Sequence, residues 1–379
     1  MRLSLICISL GMAAALGLNA RADNDPAAQV DPLIGTQANQ FKDNGNTSPG
    51  ATRPFGMLYW SPDPVSGDYY RYEKPITRGF SLTHISGPGC GTLGDAPLMV
   101  IKGKLLQLPF VRTAPIQAGF RHEDEIAEPG YYSVKLDSGI RVQLAAALRS
   151  GLAEIDFPAD GDVHTLFVDL SRNLSRVTGA DVTVHDGRMT GSVKSAGFCG
   201  MEDSHRIYFS FQTDAAPEKQ GTFSEAGFAG PGSAEGQRTG GYLIFPAGTR
   251  KVHLKVGISY VSVANAEENA ANEIPGWKFQ ELRQQARDEW NDKLSHIDVQ
   301  GEVRRAVASS RRRSTTRCFT RPSSATPMAS TSDSTTRFTM WKKDVCSTLT
   351  SPDGISIDAR SSFWRCCFPS RRAILQSRW

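Results

Sequence analysis

The stretch Lys251–Ile258, KVHLKVGI, alternates between polar or small residues and apolar ones. Val, Leu, Val and Ile occupy every second position, and Lys, His, Lys and Gly lie between them. Because successive side chains of a β-strand point to opposite faces of a sheet, this pattern predicts a strand with one buried face. The stretch therefore indicates a chain built from half-buried strands.

Similar apolar runs recur towards the N-terminus, from about Val30 onwards, with Gly, Pro, Asp and Asn between them. The clearest cover residues 132–136, 142–144, 166–170 and 207–211. Many short strands without intervening helices favour two packed sheets over a parallel α/β sheet. We therefore predict a mainly β chain with a two-sheet β-sandwich over residues 23–263.

The pattern changes after Val263. Five apolar residues then follow one another at spacings of three and four: Phe279, Leu282, Ala286, Trp290 and Leu294. This is one stripe of an amphipathic helix, and it predicts a helical connector over residues 264–298 that leads to a following domain. Without that domain, the stripe is expected to stay uncovered and to promote aggregation.

The first residues have the features of a secretory signal peptide. Arg2 supplies a positive charge, Leu3–Leu18 is an apolar run, and Ala20–Ala22 is a small-x-small cleavage site. We expect residues 1–22 to be removed and the mature protein to be secreted or periplasmic. A transmembrane anchor is the alternative, but the apolar run is shorter than the ~20 residues that span a bilayer, so we predict no membrane span.

The net charge of +4 averages two unlike segments. Residues 301–379 carry 15 Lys+Arg against 5 Asp+Glu, whereas residues 1–300 carry 28 against 34. The basic segment contains four Cys and three Trp but only two Gly, and no apolar period persists in it. A nucleic-acid-binding arm and ordinary disorder are two interpretations. The export signal argues against nucleic acid as a partner.

Translation in the wrong reading frame is a third interpretation, and it explains the Cys and Trp content. Met340–Asp344 has nearly fixed codons, and a shift of one base is compatible with Asp-Val-Glu-Lys-Gly. The same shift across residues 314–369 permits helix-like apolar spacing, turn glycines and acidic residues. We therefore predict that residues 299–379 form an out-of-frame, disordered tail, with the slip between about residues 299 and 313.

Several motifs in the N-terminal third form a set. They are VDPLIGT (30–36), GNT (45–47), PGA (49–51), RPFGM (53–57), SPD (61–63), GFSLTHISGPGC (79–90), GD (94–95) and GYY (130–132). Together they resemble glycoside hydrolase family 92, the calcium-dependent exo-α-mannosidases. The resemblance covers about residues 30–300.

The resemblance implies a β-sandwich followed by an (α/α) barrel, with the active site between them. It implies hydrolysis of terminal α-linked mannose in glycans with inversion, with α-1,2 linkages as the expected target and Ca²⁺ as cofactor. Such an enzyme needs a carboxylic acid, a carboxylate base and several oxygen ligands for calcium. In the family these groups belong to the C-terminal domain, so the resemblance assigns no catalytic residue and no metal ligand here. It implies that this chain alone is inactive; a non-catalytic carbohydrate-binding sandwich is the alternative.

What the resemblance carries over is one wall of the site, formed by the loop over residues 79–95. It implies substrate contacts from His84, Gly89, Cys90, Asp95 and Arg53. Cys90 stands where family members place a residue that faces the leaving-group sugar, and glycines let the backbone approach a ligand closely. Arg53 either reaches the cleft or has a structural role in the turn formed by residues 53–56.

Other residues near this loop could have a structural role and no contact with the sugar. His84 and Asp95 either bond sugar hydroxyls or brace the loop. Cys90 is either a sugar contact or a small buried apolar residue. Whether it pairs with Cys199 stays open, because the sequence does not give the distance between their Cα atoms. Trp60 either stacks on a sugar or belongs to the core, and its strand-like surroundings favour the core.

Overall fold

The structure is a computed structural model that describes residues 25–38, 45–65, 69–111, 116–201 and 204–297. The predictions for residues 1–22 and for residues 299–379 concern parts of the chain outside these ranges. Within the described ranges the chain forms seventeen strands and two α-helices, with a short 3₁₀ turn at Pro26–Gln29. No helix in these ranges is long and apolar enough to cross a membrane.

The first eight strands are β1 (Ala51–Thr52), β2 (Tyr59–Pro64), β3 (Ile76–Ser81), β4 (Leu98–Lys102), β5 (Ala118–Glu128), β6 (Tyr131–Leu136), β7 (Arg141–Ala146) and β8 (Ser150–Asp156). The next are β9 (His164–Asp169), β10 (Val177–His185), β11 (Arg188–Ala196), β12 (Ser204–Thr213), β13 (Lys219–Ser224), β14 (Gly227–Phe228), β15 (Gly232–Glu235), β16 (Thr239–Phe245) and β17 (Lys251–Ser259). The helices are α1 (Val263–Glu273) and α2 (Phe279–Leu294).

Hydrogen bonding arranges the strands in two antiparallel sheets. The first runs β15-β10-β11-β12-β17-β8-β7-β6-β5, and the second runs β14-β13-β16-β9-β4-β3-β2-β1. β5 also pairs with β3 and so connects the two sheets. Apolar residues from both sheets share one core, which confirms the predicted mainly β sandwich.

The stretch that predicted the fold forms β17, near the middle of the first sheet between β12 and β8. Its four apolar residues are fully buried in the shared core. The opposite face is also covered over half its length, which the alternation did not predict. Nζ of Lys255 lies 4.7 Å from the centre of the Trp277 ring. Gly257 lies so close to α1 that a Cβ added to it would be 2.0 Å from the carbonyl oxygen of Ala266. The helices therefore pack directly on this sheet.

The apolar stripe of α2 is buried, so the expectation that it stays uncovered is wrong. Its five apolar residues all lie against the sandwich or the 3₁₀ turn. Phe279 and Leu282 pack on Tyr131 and its neighbours, which face outwards from the first sheet. Trp290 packs on Tyr59, and its indole Nε1 donates to the carbonyl oxygen of Thr52 at 2.7 Å. The outer face of the sheet itself supplies the missing apolar cover.

Candidate functional site

The loop between β3 and β4 is buried at both ends and reaches the surface in the middle. Gly87 and Gly89 are exposed, and Cys90 is half-buried. Gly87 has φ of 107°, which favours glycine, and its N–H donates to the carbonyl oxygen of Asn46 at 2.9 Å. The hydroxyl of Tyr69 donates to the carbonyl oxygen of Cys90 at 2.6 Å. Residues 87–90 are therefore the part of the loop that a ligand can reach.

Asp95 is fully buried and accepts hydrogen bonds from four side chains. Thr83, Asn173 and Ser195 each donate to it at 2.7 Å, and Nε2 of His205 donates at 2.9 Å. Burial alone would raise the pKa of Asp95, but the bond and charge of His205, with the hydroxyl bonds, bring that pKa below its ordinary value. Asp95 thus joins the loop to β11 and β12.

His84 is also enclosed by polar partners. Its Nδ1 lies 2.9 Å from the carbonyl oxygen of Tyr59, and its Nε2 lies 3.0 Å from Oδ1 of Asp63. Ser81 donates to the same carboxylate oxygen at 2.6 Å. Both His84 and Asp63 are buried, so this group braces the junction of β2 and β3 with the loop.

Cys90 and Cys199 form a disulfide, which answers the question that the sequence left open. Their Cα atoms are 5.2 Å apart, although the residues are separated by 109 positions in the chain. Cys199 is exposed and lies in the turn between β11 and β12. The disulfide therefore fastens the accessible part of the loop to that turn, and the surface there presents a disulfide and no free thiol from Cys90.

The hydrogen bonds of the Arg53 side chain go to residues outside the loop. Its Nη1 is 2.8 Å from the carboxylate of Glu289, its Nη2 donates to Gln285, and its Nε donates to the carbonyl oxygen of Ala146. Glu289 and Gln285 belong to α2, so Arg53 connects the sandwich to that helix. Trp60 is fully buried in the shared core, as its surroundings favoured.

The structure thus brings Gly89, Cys90 and Asp95 together on one loop but buries the last of these. The sequence motifs pointed neither to His205 nor to the place of Cys199 in this surface. The alternation of Ile207, Phe209 and Phe211 in β12 contained a signal for His205, because it puts that residue on the same inward-facing row. Among the described residues, no group of three or more His, Cys, Asp or Glu side chains could hold a metal ion.

A pair of substitutions tests the role of Asp95. We expect Asp95→Asn to lower the free energy of unfolding by about 2 kcal/mol, because an amide cannot accept all four bonds. Asp169→Asn is the matched control: this carboxylate is also buried, but burial raises its pKa, and its Oδ2 has no hydrogen-bond partner, with Nε of Arg172 3.9 Å away. That variant should be neutral or more stable in urea unfolding.

The same pair predicts opposite responses to pH. The folded pKa of Asp95 is depressed, so its contribution is complete above its unfolded value of 3.8 and is lost as the pH falls through the folded value. The folded pKa of Asp169 is raised, so its cost declines as the pH falls. Unfolding curves between about pH 6 and pH 2 should therefore show the deficit of Asp95→Asn shrinking in acid. A deficit that stays constant across this range would contradict the charged role of Asp95.

Comparison with known families gives two matches. The glycosyl hydrolase family 92 N-terminal domain matches residues 29–259, and the glycosyl hydrolase family 92 catalytic domain matches residues 265–321. The second match takes in most of α1 and all of α2. It ends inside residues 299–379, the segment predicted from its composition to be an out-of-frame tail.

Three relatives illustrate the similarity. An uncharacterized secreted glycosidase of Arthroderma benhamiae is 27% identical over 317 residues, which are 74% of this chain and 39% of that protein. The solved structure of a GH92 family glycosyl hydrolase, ccman5, has a TM-score of 0.69 at 28% identity and covers 78% of this chain and 40% of that chain. A family GH92 α-mannosidase of Bacteroides thetaiotaomicron, also solved with mannoimidazole, has a TM-score of 0.69 at 24% identity, over 78% of this chain and 41% of that one. The chain thus spans about two fifths of the length of these relatives.

Proposed function

The chain belongs to glycosyl hydrolase family 92, and from this we propose that it is the N-terminal part of an exo-α-mannosidase. The complete protein would remove terminal α-linked mannose from glycans, with α-1,2 linkages preferred. The observation that carries this proposal is the pair of consecutive family matches, residues 29–259 in the sandwich and residues 265–321 from the helices onwards. A structural relative of 28% identity that is a family glycosyl hydrolase supports it.

The geometry of the described residues suits one half of a cleft. The loop over residues 79–95 is fixed at its ends by buried polar networks and in its middle by the disulfide between Cys90 and Cys199. A wall held in this way can meet a sugar without the entropic cost of ordering a flexible loop. We propose that Gly89 and the Cys90 disulfide face the substrate, and that His84, Asp95 and Arg53 act by holding the surrounding structure.

We propose inversion because a related structure is described as an inverting mannosidase of Bacteroides thetaiotaomicron. Inversion needs a carboxylic acid at the leaving oxygen and a carboxylate that activates water on the other face of the ring. Calcium, the cofactor that the resemblance to the family implies, would bind sugar hydroxyls. We propose that the acid, the base and the calcium ligands all belong to the catalytic domain, as the resemblance to the family implies.

Export is part of the proposal, with cleavage after Ala22. The secreted glycosidase of Arthroderma benhamiae supports it. Expression of the gene in a bacterial host, followed by fractionation and N-terminal sequencing, should give a periplasmic or extracellular protein that begins at Asp23. An intact N-terminus in the cytosolic fraction would contradict export.

The activity is tested by comparing two proteins from the same gene. One is this chain, and the other has its reading frame restored between codons 299 and 313. With α-1,2-mannobiose and calcium, we expect mannose release by the restored protein and none by this chain. A chelator should abolish the release, and NMR should detect β-mannose as the first product, because the reaction inverts the α linkage. Release by this chain, or a restored protein that cleaves α-glucosides and not α-mannosides, would contradict the proposal.

A further inference from the structure

Three long polar side chains lie side by side on the outer face of the first sheet. In the pairing of β11 with β12 and of β12 with β17, Arg188 lies opposite Gln212, and Gln212 lies opposite Lys255. Their neighbours along each strand are fully buried in the core, so all three residues point outwards. Because neighbouring strands are only about 5 Å apart, the side chains of Arg188 and Lys255 can both reach a group placed over Gln212.

Lys255 is the unusual member of this row. It is only 9% exposed, and a buried ammonium group is normally paired with a carboxylate. Among the described residues no carboxylate pairs with Lys255, and its Nζ lies 4.7 Å from the centre of the Trp277 ring. Burial lowers the pKa of Lys255, and the positive charge of Arg188 lowers it further. Two cationic groups therefore lie close together here without a shared counterion.

The acidic groups around this row are bonded to other partners. Glu154 on β8 and Asp214 both bond His253, the outward residue that precedes the lysine on β17. Glu267 of α1 comes within 3.8 Å of Nη1 of Arg188, which is a long contact at the protein surface. Surface ion pairs of this kind contribute little. The row therefore keeps an excess of positive charge.

The surroundings of Lys255 leave one side of its ammonium group for a ligand. Trp277 packs on the β8 side, against the cluster that includes Leu152, and α1 covers Gly257, the next outward residue of β17. The β12 side is occupied by Gln212, which is half-buried and whose side-chain amide makes no hydrogen bond with a described residue. Hydrogen-bond donors that lack partners thus meet on this side.

We propose that Arg188, Gln212 and Lys255 bind one oxyanion group on the outer face of the first sheet. The guanidinium and the ammonium would each donate charge-assisted hydrogen bonds to its oxygens, and the amide of Gln212 would donate a third. None of these residues belongs to the loop over residues 79–95, and the site does not depend on the proposed function. Its ligand is a sulfate, phosphate or carboxylate group, either free or carried by a glycan.

The probe is inorganic sulfate, titrated into the full chain by calorimetry at an ionic strength held constant with sodium chloride. We expect saturable binding, which Lys255→Met and Arg188→Gln should each weaken about tenfold because each removes a charged donor. Methionine keeps an unbranched apolar side chain beneath Trp277, so Lys255→Met should fold. Arg188 is exposed, so its replacement leaves the core unchanged.

The same two strands offer matched control variants. Lys251 also points outwards from β17, but it pairs with Glu154 and Asp156. Arg206 also points outwards from β12, but it pairs with Asp181. Lys251→Met and Arg206→Gln should leave the affinity for sulfate unchanged, and thermal unfolding without sulfate should verify that all four variants fold.

Two further ligands identify the source of the oxyanion. Glucuronate carries a carboxylate on a sugar, and glucose is its neutral counterpart, which should not bind. Glucuronate that binds more tightly than sulfate through the same residues would indicate an acidic glycan as the ligand, and the reverse order would indicate an inorganic anion.

Three results would overturn the site. They are no saturable binding of sulfate or glucuronate by the parent chain, binding that survives Lys255→Met and Arg188→Gln, and equal losses in Lys251→Met and Arg206→Gln. None of them bears on mannose release by the frame-restored protein, which tests the proposed function separately.

Discussion

Replacement of both Cys90 and Cys199 by Ser is expected to lower the free energy of unfolding by about 4 kcal/mol. A disulfide stabilises a fold mainly by restricting the unfolded chain, and the effect grows with the length of the closed loop. The separation here is 109 residues, which puts this disulfide towards the upper end of that range. Urea unfolding of the oxidised protein and of the double variant measures the difference.

A reducing agent supplies the control for this experiment. Because Cys199 is exposed, a small thiol can reach the disulfide, and the reduced parent should unfold at about the same urea concentration as the double variant. The double variant itself should not respond to the reductant. If neither reduction nor substitution moved the unfolding midpoint, the disulfide would have no stabilising role, and the wall would depend on the Asp95 network alone.

The sequence predicted the sandwich because its strands obey a local rule. In Lys251–Ile258 every second side chain enters the core, and each such stretch can be recognised without knowing its neighbours. The covered outer face of the same strand could not be predicted in this way. Gly257 and Lys255 look like the solvent side of a strand, and they are buried only because α1 and Trp277 pack on them.

The candidate site was predictable in part, for the same reason. The motif over residues 79–90 is continuous in sequence, so the loop could be identified as a wall of the site. His205, one of the four side chains that bond Asp95, is separated from it by 110 residues, and no spacing rule connects the two. The resemblance therefore suggested that Asp95 contacts the substrate, whereas the structure buries Asp95 and leaves its partner His205 partly exposed.

Trp290→Ala is expected to lower the free energy of unfolding by about 4 kcal/mol. Trp290 is the fully buried residue of α2 that packs on the sandwich, so its truncation to alanine leaves a large cavity. The carbonyl oxygen of Thr52 also loses the indole donor at 2.7 Å. Trp290→Phe should lose less, because most of the packing remains. Urea unfolding, followed by far-ultraviolet circular dichroism, measures both changes.

Trp277→Ala is the control that separates docking of α2 from a general effect of removing tryptophan. Trp277 is only half-buried, precedes α2 and covers Lys255, so its loss should cost about 1 kcal/mol. If α2 is held as firmly as its buried stripe implies, Trp290→Ala alone should make the helix open to proteolysis and bind a hydrophobic dye. Equal, small effects of the two alanine variants would mean that α2 leaves the sheet readily. The sandwich would then need the rest of the catalytic domain to keep this helix in position.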